Sequence, residues 1–238
     1  MIAVGTAGWA TPRAVAHRFP AEGSVLQRYA ERLPAVEINT TFYRSHRPGT
    51  YERWAQSTPG DFRFAVKAPR AISHERRLAD CSDAVAAFLD EIAPLGDKLG
   101  PLLIQLPPGL ALDLPTARGF LQDLRRRFSG PVAWEPRHAS WFEADGEQLL
   151  TDHAVARVAA DPARVPQAAA PGGWPNLLYL RLHGSPRMYF SAYGPDQLDR
   201  WAGIMRNSAA TERWCIFDNT ASGAAAGQAL DMQARLGL

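Results

Sequence analysis

The chain has 238 residues, 46% of them hydrophobic, which suffices for one large core and is close to the roughly 250 residues of a single α/β barrel. The formal net charge of only +2 does not demand a nucleic-acid partner but permits an anionic ligand. The two cysteines have no metal-type or disulfide-type spacing, and the sequence has no targeting segment and no apolar stretch of ~20 residues. We therefore expect one cytoplasmic domain, residues 1–238, without a membrane partner.

Eight short apolar runs recur along the chain and predict β-strands. They span residues 2–5, 35–40, 62–68, 101–106, 132–135, 154–160, 177–182 and 214–218. Most intervening segments place apolar residues at helical spacing. The exception is 162–176, whose Pro, Gly and Ala content predicts an irregular segment after the sixth strand. Alternating strands and helices predict parallel pairing, and the absence of a polar edge strand favours a closed TIM-type (β/α)8 barrel.

Polar residues occupy alternate positions in most of the predicted strands. Side chains in a strand point alternately to opposite faces, so this pattern predicts a shared polar interior. Its members are Glu37, Asn39, Arg63, Lys67, Gln105, Glu135, Arg137, Arg157, Asp161, Arg181 and His183. An unpaired buried charge costs several kcal/mol. The pattern therefore predicts a site at the carboxyl ends of the strands, where the catalytic groups of such barrels lie.

An anion pocket is predicted between the seventh and eighth strands. The turn 219–224 opens the last helix, where free N–H groups and the helix dipole favour negative charge, and Arg181 would stand beside it. The candidate binding residues are Asn39, Lys67, Arg137, Arg181, His183, Asp218 and Asn219. In an equally weighted alternative, Asp218 and Thr220 only cap that helix while Arg181 pairs with an internal acid.

Proton transfer also has candidates. They are Glu37, Glu135, His74, His138 and Asp161. Glu37 and Glu135 would form a glycosidase-like pair only if they lie about 5 to 10 Å apart. Their pairing with internal cations is the favoured alternative. Lys67 could form a Schiff base if desolvated, but in a basic neighbourhood it is better suited to be a point charge for an anion.

The sequence carries no signature of an organic cofactor. Its histidines and carboxylates could bind a divalent metal, but no diagnostic spacing is present, so a metal is not favoured and no ligand set is assigned. Aromatic residues collect near the strand ends, and they either stack on a ligand or seal loops onto the rim. We expect Phe42 to have the sealing role.

Three functions remain open at this point. The leading hypothesis is a barrel that binds or transforms a phosphorylated or other anionic small molecule, with a hydrolase, lyase or isomerase reaction possible. The second is nucleic-acid binding or processing, with Arg70, Arg76 and Arg77 on backbone phosphates. The third is a scaffold whose interior charges only neutralise one another. The sequence does not indicate an oligomeric state.

Several segments in order along the chain resemble the YecE-like family, a domain of unknown function (DUF 72). They read GTAGW, VEINTTFYR, FRFAVKAPRAISHERRL, GPLLIQLPP, AWEPRHASWF, YLRLHGSPRMYFSAYG and IFDNTASGAA. The resemblance implies an α/β barrel of this length and no particular reaction. The chain departs from the family pattern in ISHERRL, where an ITH-containing form is usual, and at Gln228, where Asn is typical.

Overall fold

The structure, a computed structural model, describes residues 1–238 and contains one ten-stranded sheet. The strands are β1 (Ile2–Ala7), β2 (Ala35–Ile38), β3 (Arg63–Lys67), β4 (Leu99–Gln105), β5 (Val132–Glu135), β6 (Val155–Arg157), β7 (Ala159–Asp161), β8 (Gly172–Gly173), β9 (Leu177–Leu182) and β10 (Glu212–Phe217). Their order in the sheet is β7-β9-β10-β1-β2-β3-β4-β5-β6-β8. All neighbours pair in parallel except β6 and β8.

The sixth predicted strand closes the barrel in two parts. β6 pairs with β5, β7 pairs with β9, and the two parts meet at Val158, whose N–H still donates to the Trp134 carbonyl at 2.9 Å. β9 and β10 are therefore the seventh and eighth strands of the barrel. The predicted TIM-type α/β barrel is confirmed, and the two-residue β8 is an antiparallel addition on β6.

Seven α-helices surround the strands. They are α1 (Val25–Ala30), α2 (Pro48–Gln56), α3 (Ser82–Ile92), α4 (Leu114–Arg127), α5 (Ala144–Asp152), α6 (Pro195–Asn207) and α7 (Ala224–Leu236). Local sequence sets their ends: Ser24 and Gln27 form a capping box at α1, and Asp113 accepts the Thr116 N–H at 2.9 Å at α4. No helix combines the length and apolarity that crossing a bilayer requires.

An irregular strap replaces the sixth helix, as the composition of 162–176 predicts. Arg157 Nη1 donates to the carbonyls of Gln167 at 3.1 Å and Ala170 at 2.9 Å. Glu147 of α5 pairs with Arg157 and accepts the Gly173 N–H at 2.7 Å. The prediction that Arg157 faces the barrel interior is therefore wrong. The inward positions of this strand belong to Ala156, Val158 and Ala160, and Arg157 on the outer face binds the strap to the helix layer.

The amino-terminal half of the barrel interior is apolar. The rings of Trp214 and Tyr179 stack there with centroids 6.1 Å apart. A Cβ on Gly100 would lie 2.7 Å from the indole of Trp214, so only glycine fits at this position. Small side chains from other strands share this layer, namely Ala3, Ala35, Ala65, Ala133 and Ala156. The large rings thus fill the space that small neighbours leave, and the polar residues occupy the carboxyl-terminal half.

Candidate functional site

Arg181 lies at the centre of a buried ionic network. Its side chain is 0% exposed and donates to Glu37 Oε1 at 2.7 Å and Oε2 at 3.1 Å. It also donates to Glu135 Oε2 at 2.7 Å and Asp218 Oδ2 at 3.1 Å. One guanidinium therefore holds three carboxylates from three strand ends. This is the internal pairing of Arg181, Glu37 and Glu135 that the sequence left as an alternative.

Glu37 is completely enclosed by this network. It is 0% exposed, and its remaining hydrogen bond comes from the Tyr179 hydroxyl at 2.8 Å. Burial and the neighbouring Glu37 charge raise the pKa of Tyr179, which stays a phenol that donates. Glu37 is thus placed as a counter-charge for Arg181. Its predicted role in proton transfer gains no support from these contacts.

Glu135 connects the network to the mouth of the barrel. Besides Arg181, its Oε2 accepts from Gln105 Nε2 at 3.0 Å, and its Oε1 accepts from Arg137 Nε at 3.2 Å and Nη2 at 3.0 Å. Burial opposes ionisation, but Arg181, His183 and Arg137 hold the pKa of Glu135 well below its usual range. Glu135 is therefore a carboxylate at neutral pH. Arg137 keeps Nη1 without a protein partner.

His183 and Asp218 form an oriented dyad. His183 Nδ1 lies 2.9 Å from Asp218 Oδ2, and its buried Nε2 has no hydrogen-bond partner, since Glu135 Oε1 is 3.5 Å away. Burial lowers the pKa of His183, but Asp218 and Glu135 outweigh it and raise the pKa. The histidine lines a small cavity with Glu135, Arg137 and Met188. The cavity volume of ≈ 10 Å³ is about that of one water position.

Lys67 stands apart from the ion pairs. It is only 6% exposed, yet its ammonium has no carboxylate oxygen within 4.0 Å and makes no hydrogen bond. Nζ instead lies 4.1 Å from the centroid of the Phe42 ring, a cation–π contact. The sealing role expected for Phe42 stays a prediction. Burial, assisted by the positive charge of Arg181, lowers the pKa of Lys67 to about 8.

The two candidate histidines outside the network have local contacts. His74 Nδ1 lies 2.9 Å from Ser73 Oγ, and its ring packs edge-on to Phe42. Burial and then the charges of Lys67 and Arg137 lower the pKa of His74. His138 Nδ1 lies 3.0 Å from Ser140 Oγ and caps the short helix Ala139–Phe142. His74 therefore belongs to the mouth, whereas the contacts of His138 are those of a helix cap.

The remaining candidates share an unusual property. Asn39 Oδ1, Asp161 Oδ2 and Asn219 Oδ1 are buried without a hydrogen-bond partner, as is His183 Nε2. Each follows or ends a different strand, so four orphaned polar atoms collect at the carboxyl end of the barrel. Buried polar atoms are nearly always paired, and such a cluster calls for an explanation. Asp161 makes no ion pair and lies beside Tyr193 rather than in the Arg181 network.

The corner predicted for the anion is covered by the loop that follows β9. Asn219 Nδ2 donates to the Ser191 carbonyl at 3.0 Å and to Gln228 Oε1 at 2.7 Å. Ser222 Oγ donates to the Phe190 carbonyl at 2.6 Å. The turn before α7 is therefore packed against protein groups. Gln228 takes part in this closure, because its Nε2 also donates to the Tyr193 carbonyl at 2.8 Å.

The arginines predicted for nucleic acid are engaged in local pairs. Arg70 pairs with Glu75 at 3.1 Å, Arg76 pairs with Asp83, and Arg77 donates to the Gly109 carbonyl at 2.9 Å. No group of three or more His, Cys, Asp or Glu side chains is arranged to hold a metal ion. Nucleic-acid binding stays a prediction without specific support from these contacts.

Sequence reasoning missed three residues of the site. Tyr179 hydrogen-bonds Glu37, while Arg164 and Met188 line the cavity beside His183. Tyr179 could have been found, because it shares the alternate positions of Arg181 and His183. Arg164 and Met188 come from the irregular segments after the sixth and seventh strands. No periodic signal locates such residues.

The fold and the network define an α/β barrel with a charged interior that opens at the carboxyl ends of its strands. The family model described as "Protein of unknown function DUF72" matches residues 3–238. The chain therefore belongs to the DUF72 family, as its sequence segments indicated.

Curated relatives agree with this assignment. The chain is 36% identical over 152 residues to UPF0759 protein YecE of Escherichia coli K12, covering 63% of this chain and 53% of that protein. It is 28% identical over 149 residues to UPF0759 protein YunF of Bacillus subtilis 168, covering 60% and 52% respectively. The chain thus spans about half the length of the curated relatives it matches.

Solved structures show the same architecture over the whole chain. A DUF72 family protein from Enterococcus faecalis V583 superimposes with a TM-score of 0.84 at 25% identity, covering 100% of this chain and 96% of that one. Another from Thermotoga maritima MSB8 gives a TM-score of 0.81 at 24% identity, covering 100% of both chains. This second likeness establishes the fold alone.

Proposed function

We propose that the carboxyl-terminal mouth of the barrel binds, and acts on, a phosphorylated or other anionic small molecule. The observation that carries the proposal is the set of cations around His74. Lys67, Arg137 and Arg70 all act on this imidazole and lower its pKa, after burial. Glu135 acts in the opposite direction, but two of these cations keep free capacity, because Lys67 makes no hydrogen bond and Arg137 Nη1 has no protein partner. Such cations favour an anion. The binding position lies on the β3–β5 side, rather than at the covered corner between β9 and β10.

The orphaned atoms supply the polar partners that a ligand needs. His183 lines the cavity together with Arg137 and Arg164, and its buried Nε2 has no hydrogen-bond partner. With its pKa raised, His183 can donate a proton, while Asp218 orients the ring through Nδ1. This arrangement supports acid–base chemistry on a bound anion.

We infer a cytoplasmic location from the cysteines. Cys81 and Cys215 are both free and buried. Free thiols persist in a reducing compartment, which supports a cytoplasmic location.

Ligand-dependent unfolding tests the binding proposal. Thermal unfolding is measured with glucose 6-phosphate, glyoxylate and inorganic phosphate, and with glucose as the neutral control. A ligand at about 100 times its Kd stabilises the folded state by ~2.7 kcal/mol. We expect an anion to raise Tm and Arg137→Met to abolish the effect. Arg126→Met is the matched control, because Arg126 pairs with Asp123 on the exposed face of α4. Equal responses to glucose and to the anions would contradict the proposal.

A further inference from the structure

Lysine is rare in this chain, and one of the two lies at the mouth of the barrel. Of 26 basic residues, only Lys67 and Lys98 are lysines. Arginine is always charged, whereas a lysine can lose its proton and become a nucleophile. Arg137 and Arg181 show that arginine serves as the fixed cation in this site. A lysine at position 67 therefore adds a chemistry that the arginines lack.

The two lysines differ in what holds the ammonium. Lys98 Nζ donates to the carbonyls of Ala55 at 2.5 Å and Thr58 at 2.6 Å, and to Thr58 Oγ1 at 3.1 Å. Lys67 Nζ has none of these acceptors and rests against the face of Phe42. Nothing in the protein fixes its three N–H groups, so loss of a proton breaks no hydrogen bond.

Burial also favours the neutral amine. Burial and the Arg181 charge lower the pKa of Lys67 to about 8, from an ordinary 10.5, against the opposing field of Glu37, Glu135 and Asp218. At about pH 7.5 this raises the neutral fraction more than a hundredfold. The Lys67 Nζ atom keeps some contact with solvent, since it is not among the fully enclosed unpaired atoms.

We propose that Lys67 forms a Schiff base with the carbonyl carbon of an anionic aldehyde or ketone bound at the mouth. The inference rests on the proposed function, and it names the substrate class as a small carbonyl compound that carries a carboxylate or phosphate. Phe42 provides the apolar wall beside the reacting amine, and Arg137 with its free Nη1 faces the anionic group.

The step balances without any further reactant. The neutral Nζ attacks the carbonyl carbon, so that a C–N bond forms and the C=O π bond breaks. The carbonyl oxygen takes one proton from nitrogen and becomes a hydroxyl. The C–O bond then breaks, and the second amine proton leaves with the hydroxyl as water. The products are one imine and one water, with no change of oxidation state.

Reductive trapping tests the proposal on the unmodified chain. The protein is treated with sodium cyanoborohydride and glyoxylate, glycolaldehyde phosphate or neutral glycolaldehyde, and adducts are located by peptide mass spectrometry. We expect Lys67 to be labelled by the two anions at least about tenfold faster than Lys98. Lys67→Arg should remove this adduct, and Lys98→Arg should leave it unchanged.

The outcomes separate the two proposals. Equal or slower labelling of Lys67 than of Lys98 by all three probes would overturn the Schiff base, even if the anions raise Tm. Fast labelling of Lys67 by glycolaldehyde and the anions alike would support the nucleophile and contradict the anion preference. The comparison of the two lysines uses only the wild-type chain, so it does not depend on whether Lys67→Arg folds.

Discussion

Replacement of Arg181 by methionine removes the cation that three buried carboxylates share. Their situations then differ: Glu135 keeps Arg137 and Gln105, and Asp218 keeps His183, whereas Glu37 keeps only the Tyr179 hydroxyl. One fully buried carboxylate is thus left without a cation. Breaking a buried pair in this way costs about 3–5 kcal/mol, a large share of the ~5–15 kcal/mol that stabilises a typical domain.

The assay is equilibrium unfolding in urea, followed by tryptophan fluorescence at pH 7 and pH 5. In the wild-type chain, burial acts to raise the pKa of Glu135 and of Asp218, but Arg181 and weaker partners outweigh it and lower both. The stabilisation that the two carboxylates provide is therefore present above their unfolded pKa and declines as pH falls. In Arg181→Met the main source of this stabilisation is gone. Stability should therefore fall less on acidification in the variant than in the wild type.

Two further variants isolate the cause. Arg206→Met changes an exposed arginine of α6 whose only side-chain hydrogen bond goes to the Arg235 carbonyl, and it should cost less than ~0.5 kcal/mol. The double variant Glu37→Gln with Arg181→Met should recover part of the loss, because no charge then stays unpaired at position 37. A loss below ~1 kcal/mol in Arg181→Met, with the wild-type pH response, would refute the reasoning.

Two interior substitutions, one control substitution on the surface and one titration test the rest of the reasoning by the same unfolding assay or by NMR. Gly100→Ala should cost about 1–3 kcal/mol, because its Cβ meets the Trp214 ring. Gly119→Ala in α4, where a Cβ meets nothing, should stabilise by ~1 kcal/mol, and equal effects would contradict the packing argument. Tyr179→Phe should cost about 1–2 kcal/mol, and a neutral result would show that its bond to the buried carboxylate contributes nothing. The pKa of the His183 imidazole, measured by NMR, should lie above the ordinary 6.5. The stabilisation from its pairing with Asp218 is then complete at acidic pH and is lost as pH rises. A titration midpoint at or below 6.5 argues against the dyad.

The strand count and the polar face could be predicted from local patterns. Ala133-Trp134-Glu135 places a small residue and an acid on one side and a large ring on the other, which is what a barrel strand needs. The irregular composition of 162–176 likewise indicated where a helix is missing. The same reasoning failed at Arg157, because Ala156, Val158 and Ala160 occupy the inward positions of this strand and Arg157 lies on its outer face.

The pairing inside the barrel was decided by tertiary structure alone. Arg181 contacts acids that are 144, 46 and 37 residues away along the chain, and the sequence does not indicate which of several cations would meet them. The same holds for Lys67, whose isolation from every carboxylate is a matter of distance and not of residue type.

By itself, the sequence determined the repeating strand–helix plan, the inward polar face and the family, because these depend on periods of two and 3.6 residues and on contiguous segments. The tertiary structure decided which charges neutralise one another, which corner the loop after β9 covers, and which lysine stays unpaired. Those features depend on how strands far apart in sequence converge. They also depend on the low polarity of the interior, where an ionisable group that lacks a partner has a shifted pKa.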